Sequence, residues 1–220
     1  TKKDFPEGIH AYGTDALRLT FCSLATGGRD INFDMKRLEG YRNFCNKLWN
    51  ASRFIEIQIE TSGVSEELNE DLIEKWINYK FNLTAKKVND AFESFRFDLA
   101  TKAIYEFIWY EFCDWYIELS KIKLSKKSKD NSRIVKSMVS LLEKTLRLAH
   151  PIMPFITEEI WIQFKPFHQN PEKSIMIAET PKHKENLSDD EFKSIEWLKE
   201  IVSGVRNIRG EMLIKPSEKI

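Results

Sequence analysis

The stretch GRDINFDMKRLEGYRNFCNKLWNASRF, residues 28–54, runs from a charged tight turn straight into one long helix. At about 100° per residue, Tyr41, Phe44, Cys45, Leu48, Ala51, Ser52 and Ile55 fall on one broad arc. Asn43, Asn46, Lys47, Asn50, Arg53 and Phe54 fall on the opposite arc. An exposed helix face normally fills with Glu and Lys. Asn is a poor helix former, yet this face carries three, with two cations and a Phe expected to point outward. Amides can hydrogen-bond base edges, a ring can stack on a base, and cations can hold phosphate. The plain alternative is a solvated face that happens to be rich in Asn.

Outward from that helix, the chain reads as helices throughout. Thr14–Leu24 has apolar residues near helical period, and Thr26-Gly27-Gly28 breaks it. Asp34 is the candidate N-cap of the long helix, which should fade near Glu60 before Gly63. Ser65–Phe92 reads as a second long helix, with a kink expected near Asn82 or Thr84. After a short connection at Phe95-Arg96-Phe97, Asp98 is expected to cap a third helix reaching about Leu124. That helix is apolar almost all round, which places it centrally in a bundle.

Ser125–Ser132 reads as a polar hinge, and Arg133–His150 as a fourth helix ended by Pro151. Pro154–Phe164 is a short fifth helix. Lys165–Asn186 looks irregular, with one short extended piece at residues 174–178. Ser188 and Glu191 have capping-box spacing for a sixth helix, Ser188–Arg209. Short loops between long helices imply antiparallel neighbours. The fold class is therefore all-α, an antiparallel helical bundle.

The 220 residues include 42% hydrophobic and 31% charged side chains, at zero formal net charge. Bulk charge argues nothing for nucleic acid, so binding must come from local patches. Residues 35–54 form one such patch, with Lys36, Arg37, Arg42, Lys47 and Arg53 against Glu39 alone. Residues 121–147 form another, and the acidic residues 55–120 lie between them. Cys22, Cys45 and Cys113 are far apart among apolar neighbours and read as reduced thiols of a cytoplasmic protein. The four histidines show no metal-ligand spacing with them, so no metal is expected. No apolar run approaches the ~20 residues of a membrane span.

Enzyme signatures are missing from the sequence: no Gly-rich phosphate loop, paired-Cys zinc pattern or Ser nucleophile elbow. Glu158 and Glu159 are adjacent, about 100° apart on a helix, and read as structural. Glu111, Asp114 and Glu118 form a line of acids, expected to pair with cations of neighbouring helices. The aromatic run 109–116 reads as core. Arg206 and Arg209 could track a phosphate strand or decorate a surface.

RDINFD joined to YRNFCNKLWNASRF resembles the start of the anticodon-binding region of the valyl-tRNA synthetase family, class Ia. YGTDALR at residues 12–18 resembles the segment that follows the family's second signature loop, YEFCDWYIELSK at 110–121 and AHPIMPFITEEIW at 149–161 resemble later helices of the anticodon-binding region, and RNIRGEM at 206–212 resembles the segment after the bundle, all in the family's order. PFITEEIW is shared with the isoleucyl and leucyl relatives, whereas the joined words of residues 29–54 point to valine. The resemblance implies a stem-contact-type segment over residues 1–33, a helical-bundle anticodon-binding domain over 34–166, and a linker with a helix over 167–220. The chain starts on Thr and reads as a piece of a larger polypeptide, continuous with the rest of a synthetase.

The resemblance further implies that the parent, a monomer in the cytoplasm, attaches valine to its tRNA using ATP with Mg. The two catalytic signatures of the family are absent from this stretch, so the piece itself is expected to hold no cofactor and no catalytic residue. Its implied partner is a valine-type tRNA, without a membrane. The candidate tRNA-binding residues are Arg29, Arg42, Asn43, Asn46, Lys47, Asn50, Arg53 and Phe54. The amides are candidates for base edges, the cations for phosphate or bases, Phe54 for stacking, and Arg29 for the inner corner of the tRNA. Asn43 and Asn50 bonding to the bundle's own backbone is the structural alternative. Two other readings stand beside this one: the anticodon domain of an isoleucyl or leucyl relative, and a helical protein-interaction module without an RNA role.

Overall fold

Asp34 has extended backbone (φ −115°, ψ 120°) and accepts a hydrogen bond from the Lys36 N–H at 2.9 Å, so the long helix α2 begins at Met35. It runs unbroken over Met35–Ser62, about 42 Å at 1.5 Å per residue. Gly63 ends it at φ 70°, its N–H returned to the Ile59 carbonyl at 2.9 Å. The computed structural model describes residues 8, 10–27, 33–67, 71–126, 130–183, 190–215 and 218. Among these there is no strand, and the fold is the all-α bundle expected.

α1 spans Thr14–Leu24. α3 spans Leu72–Glu93, not Ser65–Phe92. Two competing bonds move its start: Asp71 caps it by accepting from Ile73 N at 2.9 Å and Glu74 N at 3.3 Å, while the Ser65 N–H is committed to the Ser132 carbonyl at 3.1 Å. The helix is continuous through Asn82 and Thr84, where a kink is expected, and the Thr84 hydroxyl bonds back to the Lys80 carbonyl at 2.9 Å. Phe95, at φ 56°, turns the chain into α4, Phe97–Glu106. Asp98 does not cap it. The side chain lies in the first turn and binds the Arg96 guanidinium at 2.7–2.8 Å.

α4 continues without a break into a π-helical segment, Phe107–Tyr116, and then α5, Ile117–Leu124. The sequence reads this stretch as ordinary α-helix. This stretch packs on several faces: Phe107 meets Phe81 of α3, while Tyr105 and Trp109 stack beside Phe44 of α2. An i→i+5 segment of this kind is rare and recurs at functional sites.

α6, Asn131–Ala149, is buried along most of its length, and α7 spans Pro154–Gln163 with Pro at its first position. Of residues 174–178, expected as one extended piece, only the flanking Ser174 and Ala178 have extended backbone. Ile175–Ile177 form a 3₁₀ turn whose Met176 N–H is held by the Ser174 hydroxyl at 3.1 Å. α8 spans Lys193–Glu211 after a 3₁₀ turn at Asp190–Phe192, and the expected cap Ser188 lies outside the described residues. One buried cluster runs from Leu19 of α1 through α2 to α7 and on to Phe192 and Ile195.

α1 is docked by polar groups as well. Asp15 accepts from the N–H groups of Phe155 and Ile156 at the start of α7, and Arg18 donates to the Pro151 and Ile152 carbonyls just before it. No helix among the described residues is long and apolar enough to cross a membrane.

Candidate functional site

The inward arc of α2 is buried as expected: Phe44, Leu48, Ala51, Ser52 and Ile55 are all in the core. The outward arc is divided. Asn43, Asn46 and Asn50 are exposed, and none of their side-chain amides hydrogen-bonds to another described residue. Each amide keeps a carbonyl acceptor and two N–H donors for an external partner. Arg42 and Arg53 are also exposed. The Arg42 guanidinium lies 6.0 Å from the Tyr12 ring centroid. Arg29 lies outside the described residues.

Lys47 and Phe54 differ from that pattern. The Lys47 ammonium sits 2.5 Å from Asp114 Oδ1 and 3.9 Å over the Trp109 ring. Phe54 is half-buried against the core, not an open ring, because its position at the edge of the outward arc turns it toward α5. The Lys121 ammonium lies 5.2 Å from its centroid. The candidates therefore line two sides of α2. Arg42 and Asn46 face a recess of about 460 Å³ shared with Tyr12, Gly13 and Phe155. Lys47 and Phe54 face the continuous helix α4–π–α5. A cleft of about 520 Å³ on that same side is lined by Gly40, Tyr41, Leu99, Lys102, Tyr105 and Tyr110.

Sequence reasoning did not place Tyr12, Trp109, Asp114 or Lys121 in this region. The only available signal was the acid line on the third helix. Its expected role holds for two of the three acids, Glu111 pairing with Lys199 of α8 at 2.7 Å and Asp114 with Lys47 of α2, whereas Glu118 pairs with Lys121 of its own helix at 2.7 Å. Arg206 lies 5.5 Å from the Trp115 centroid, and Arg209 donates to the Lys215 and Glu218 carbonyls, so both are engaged within the protein. Glu158 accepts from the Ser174 hydroxyl at 2.9 Å and Glu159 from Gln163 at 3.3 Å, so the two do not form a working pair.

Burial pushes the Cys45 thiol up to about 12, with Asp15 adding to the effect, and burial also pushes Cys113 up to about 12. Neither is an activated nucleophile. No group of three or more His, Cys, Asp or Glu among the described residues could hold a metal ion. The chemistry on display is recognition: free amides, exposed guanidinium groups and partly open aromatic faces beside one another.

The family model described as the anticodon-binding domain of tRNA ligase matches residues 74–220. The fold is similar to that in the crystal structure of the ternary complex of Agrobacterium radiobacter K84 agnB2 LeuRS, tRNA and LeuAMS, with a TM-score of 0.56 at 20% identity. That match covers 79% of this chain and 20% of the other, so this chain spans about a fifth of its length. At that identity the likeness concerns the fold alone. The family match extends over more than half of the chain and takes in the π segment with Asp114 and Lys121, the helices facing α2. This chain belongs to the family of anticodon-binding domains of tRNA ligases.

Proposed function

We propose that this chain is the tRNA-recognising part of a valine–tRNA ligase, whose full-length form attaches valine to tRNA with ATP and Mg in the cytoplasm. The observation that carries RNA recognition is the outward face of α2: three exposed asparagines whose amides bond to no described residue, flanked by Arg42 and Arg53. Unpaired bases are read in this way, their edges by amides and their faces by rings. The valine assignment rests on RDINFD followed by YRNFCNKLWNASRF. Residues 1–33 are read as the stem-contact-type segment, 34–166 as the anticodon bundle and 167–220 as the link onward. Arg29 is assigned to the inner corner of the tRNA.

The test is binding of the chain to valine-type tRNA transcripts and to the same transcripts with exchanged anticodons. Affinity should fall as salt rises, through counterion release, and should fall again when the anticodon is exchanged. Equal affinity for all anticodons would remove base reading. A preference for leucine- or isoleucine-type tRNA would transfer the assignment to those relatives.

One observation favours a second reading, a protein-interaction module. α8 exposes Trp197, Ile201, Val205 and Ile208 along one side. That reading requires that no tRNA bind even at low salt.

A further inference from the structure

We propose that the cleft between α2 and the continuous helix α4–π takes one unpaired nucleotide of the bound tRNA from outside the anticodon, its base stacked on Tyr110 and its phosphate held by Arg37 and Lys102. The proposal rests on the tRNA-recognition reading above and deepens it.

The cleft, about 520 Å³, is of a size that suits one small ligand. Three tyrosines line it: Tyr41 from α2, Tyr105 from the end of α4 and Tyr110 from the π segment. Tyr105 is fixed by its neighbours. It stacks beside Phe44 and Trp109 and meets Tyr41 and Tyr110 at steep angles, 88° and 77°. Tyr110 is 49% exposed and touches no ring but Tyr105 among the described residues, so one face of it is open to a base. None of the three hydroxyls hydrogen-bonds to a described residue. Burial raises the Tyr105 phenol, with Tyr110, Tyr41 and Asp114 adding to the effect, so it stays a neutral O–H. Such groups both donate and accept, which satisfies the edge of any base without selecting one.

The charge around the cleft favours a phosphate. Arg37 is exposed and has no ion pair among the described residues. Lys102 lies 3.8 Å from Glu106, both of them exposed, which is a loose pair. The other acid of the cleft, Asp98, is already held by the Arg96 guanidinium. Two cations therefore remain free to turn toward an anion.

Gly40, also on the cleft wall, is the second observation. It lies inside α2, where glycine is the poorest helix former after proline. Packing does not require it: a Cβ added there would meet no neighbouring described residue within 4 Å. What its missing side chain provides is a low wall over which a partner can approach closely. Gly40, Asn43, Lys47, Asn50 and Phe54 follow at spacings of three and four and so run along one side of α2. From Gly40 to Asn50 and Phe54 is about 15 and 21 Å at 1.5 Å per residue. A tRNA that lies along this line with its anticodon at Asn50 and Phe54 brings a different nucleotide to the cleft.

The experiment measures binding of the full chain to a valine-type tRNA transcript and to the same transcript with an exchanged anticodon. Wild type is compared with Gly40→Leu, Tyr110→Leu, Tyr110→Phe and Arg37→Gln. Gly40→Leu puts a better helix former where a side chain has room, so its thermal unfolding should come no lower than that of wild type. Gly40→Leu and Tyr110→Leu should each weaken binding about tenfold, the loss expected of one base stack, and by the same factor for both anticodons. Tyr110→Phe keeps the ring and should bind like wild type. Arg37→Gln should reduce the salt dependence by about one phosphate contact. Unchanged affinity of Gly40→Leu overturns the cleft as a nucleotide site. Equal losses in Tyr110→Phe and Tyr110→Leu overturn stacking, and a loss that differs between the two anticodons overturns the position outside the anticodon. In all three cases wild type still binds tRNA, and the recognition reading stands. Failure of wild type to bind either transcript at low salt would sink that reading itself.

Discussion

The carboxylate of Asp15, in the first turn of α1, accepts a hydrogen bond from the backbone N–H of Ile156 at 2.7 Å, across a sequence separation of 141. It also takes the Phe155 N–H at 3.3 Å. No side chain adjacent in sequence caps α7. Its open N–H groups are satisfied by a distant helix, which the positive end of the α7 dipole favours. The side chain is 7% exposed, so water does not replace the bond easily when it is removed.

Replacing Asp15 with Ala should therefore cost about 1–2 kcal/mol, the range of a lost cap. Urea unfolding measures the total. Amide hydrogen exchange should show faster opening at Phe155 and Ile156 and along α1, with α3 little changed. Uniform loosening of the whole bundle would contradict this account.

Glu74 is 1% exposed and lies 2.8 Å and 3.0 Å from the Lys123 ammonium, which also contacts Asp71 at 2.5 Å. Burial, with Asp71 beside it, pushes the Glu74 carboxyl up to about 7. Burial also opposes ionisation of Asp71, but hydrogen bonds with Glu74 and Lys123 outweigh it and hold Asp71 well below the usual carboxylate range. Between 4.5 and 7 the folded protein binds the Glu74 proton more tightly than the unfolded chain. Stability contributed there is full below 4.5 and declines as pH rises to 7. The Asp71 contribution has the opposite sign and is lost only as pH falls below its ordinary value of 3.8. Glu74→Gln should flatten the decline between pH 5 and pH 8 by about 2 kcal/mol, read from urea midpoints. An unchanged slope would show that Glu74 does not titrate in this window.

Glu143, 7% exposed, is held by Arg147 at 2.7 Å and 2.9 Å, by the Trp161 indole at 3.3 Å and by Asn170 at 3.1 Å. Burial raises its pKa, yet these partners outweigh burial and bring it below the usual 4.5. The resulting stability is present above 4.5 and lost as pH falls through the folded value. Arg147→Met strands the carboxylate and should destabilise by about 3 kcal/mol at pH 7. The gap to wild type should narrow at acidic pH, where Glu143 takes a proton. A gap independent of pH would assign the loss to packing of the Arg147 stem.

Cys113 is buried and Cys45 is half-buried, both with thiols raised to about 12. Burial also raises Cys22, partly offset by Arg18. All three should resist labelling by a thiol reagent at neutral pH in the native protein and react together in urea. Rapid native labelling of Cys113 would mean that the π segment opens readily.

Asn50→Ala together with Phe54→Leu should leave the fold intact and weaken anticodon discrimination in the tRNA comparison. Leu rather than Ala is required at 54, because the ring is half-buried and full truncation risks a cavity cost of several kcal/mol, about 3–5. Discrimination equal to wild type in the folded double variant would exclude these side chains from recognition.

Much of this architecture was legible from local pattern. Apolar spacing along residues 41–55 marks the buried arc of α2, Asp34 and Gly63 mark its ends, and the hydrophobic periods elsewhere give the helix count and the all-α class. These features depend on residues a few positions apart, whose geometry the backbone sets by itself. Where a cap lay outside that range, local reading failed: Asp71 and the Ser65–Ser132 bond shift the start of α3, and Asp15 caps a helix in the opposite half of the chain.

The site was legible only as a face. Periodicity puts Asn43, Asn46 and Asn50 outward, and they are outward. It could not reveal that Lys47 is bound to Asp114, that Phe54 turns toward Lys121, or that ten aromatic-rich residues wind as a π-helix. Those outcomes depend on which surfaces meet when separate helices pack. The sequence alone determined the helices and their apolar faces, because helical period is a property of neighbouring residues. Tertiary structure alone decided which outward side chains remain free, because a lysine and a carboxylate 67 positions apart meet only when their helices are packed together.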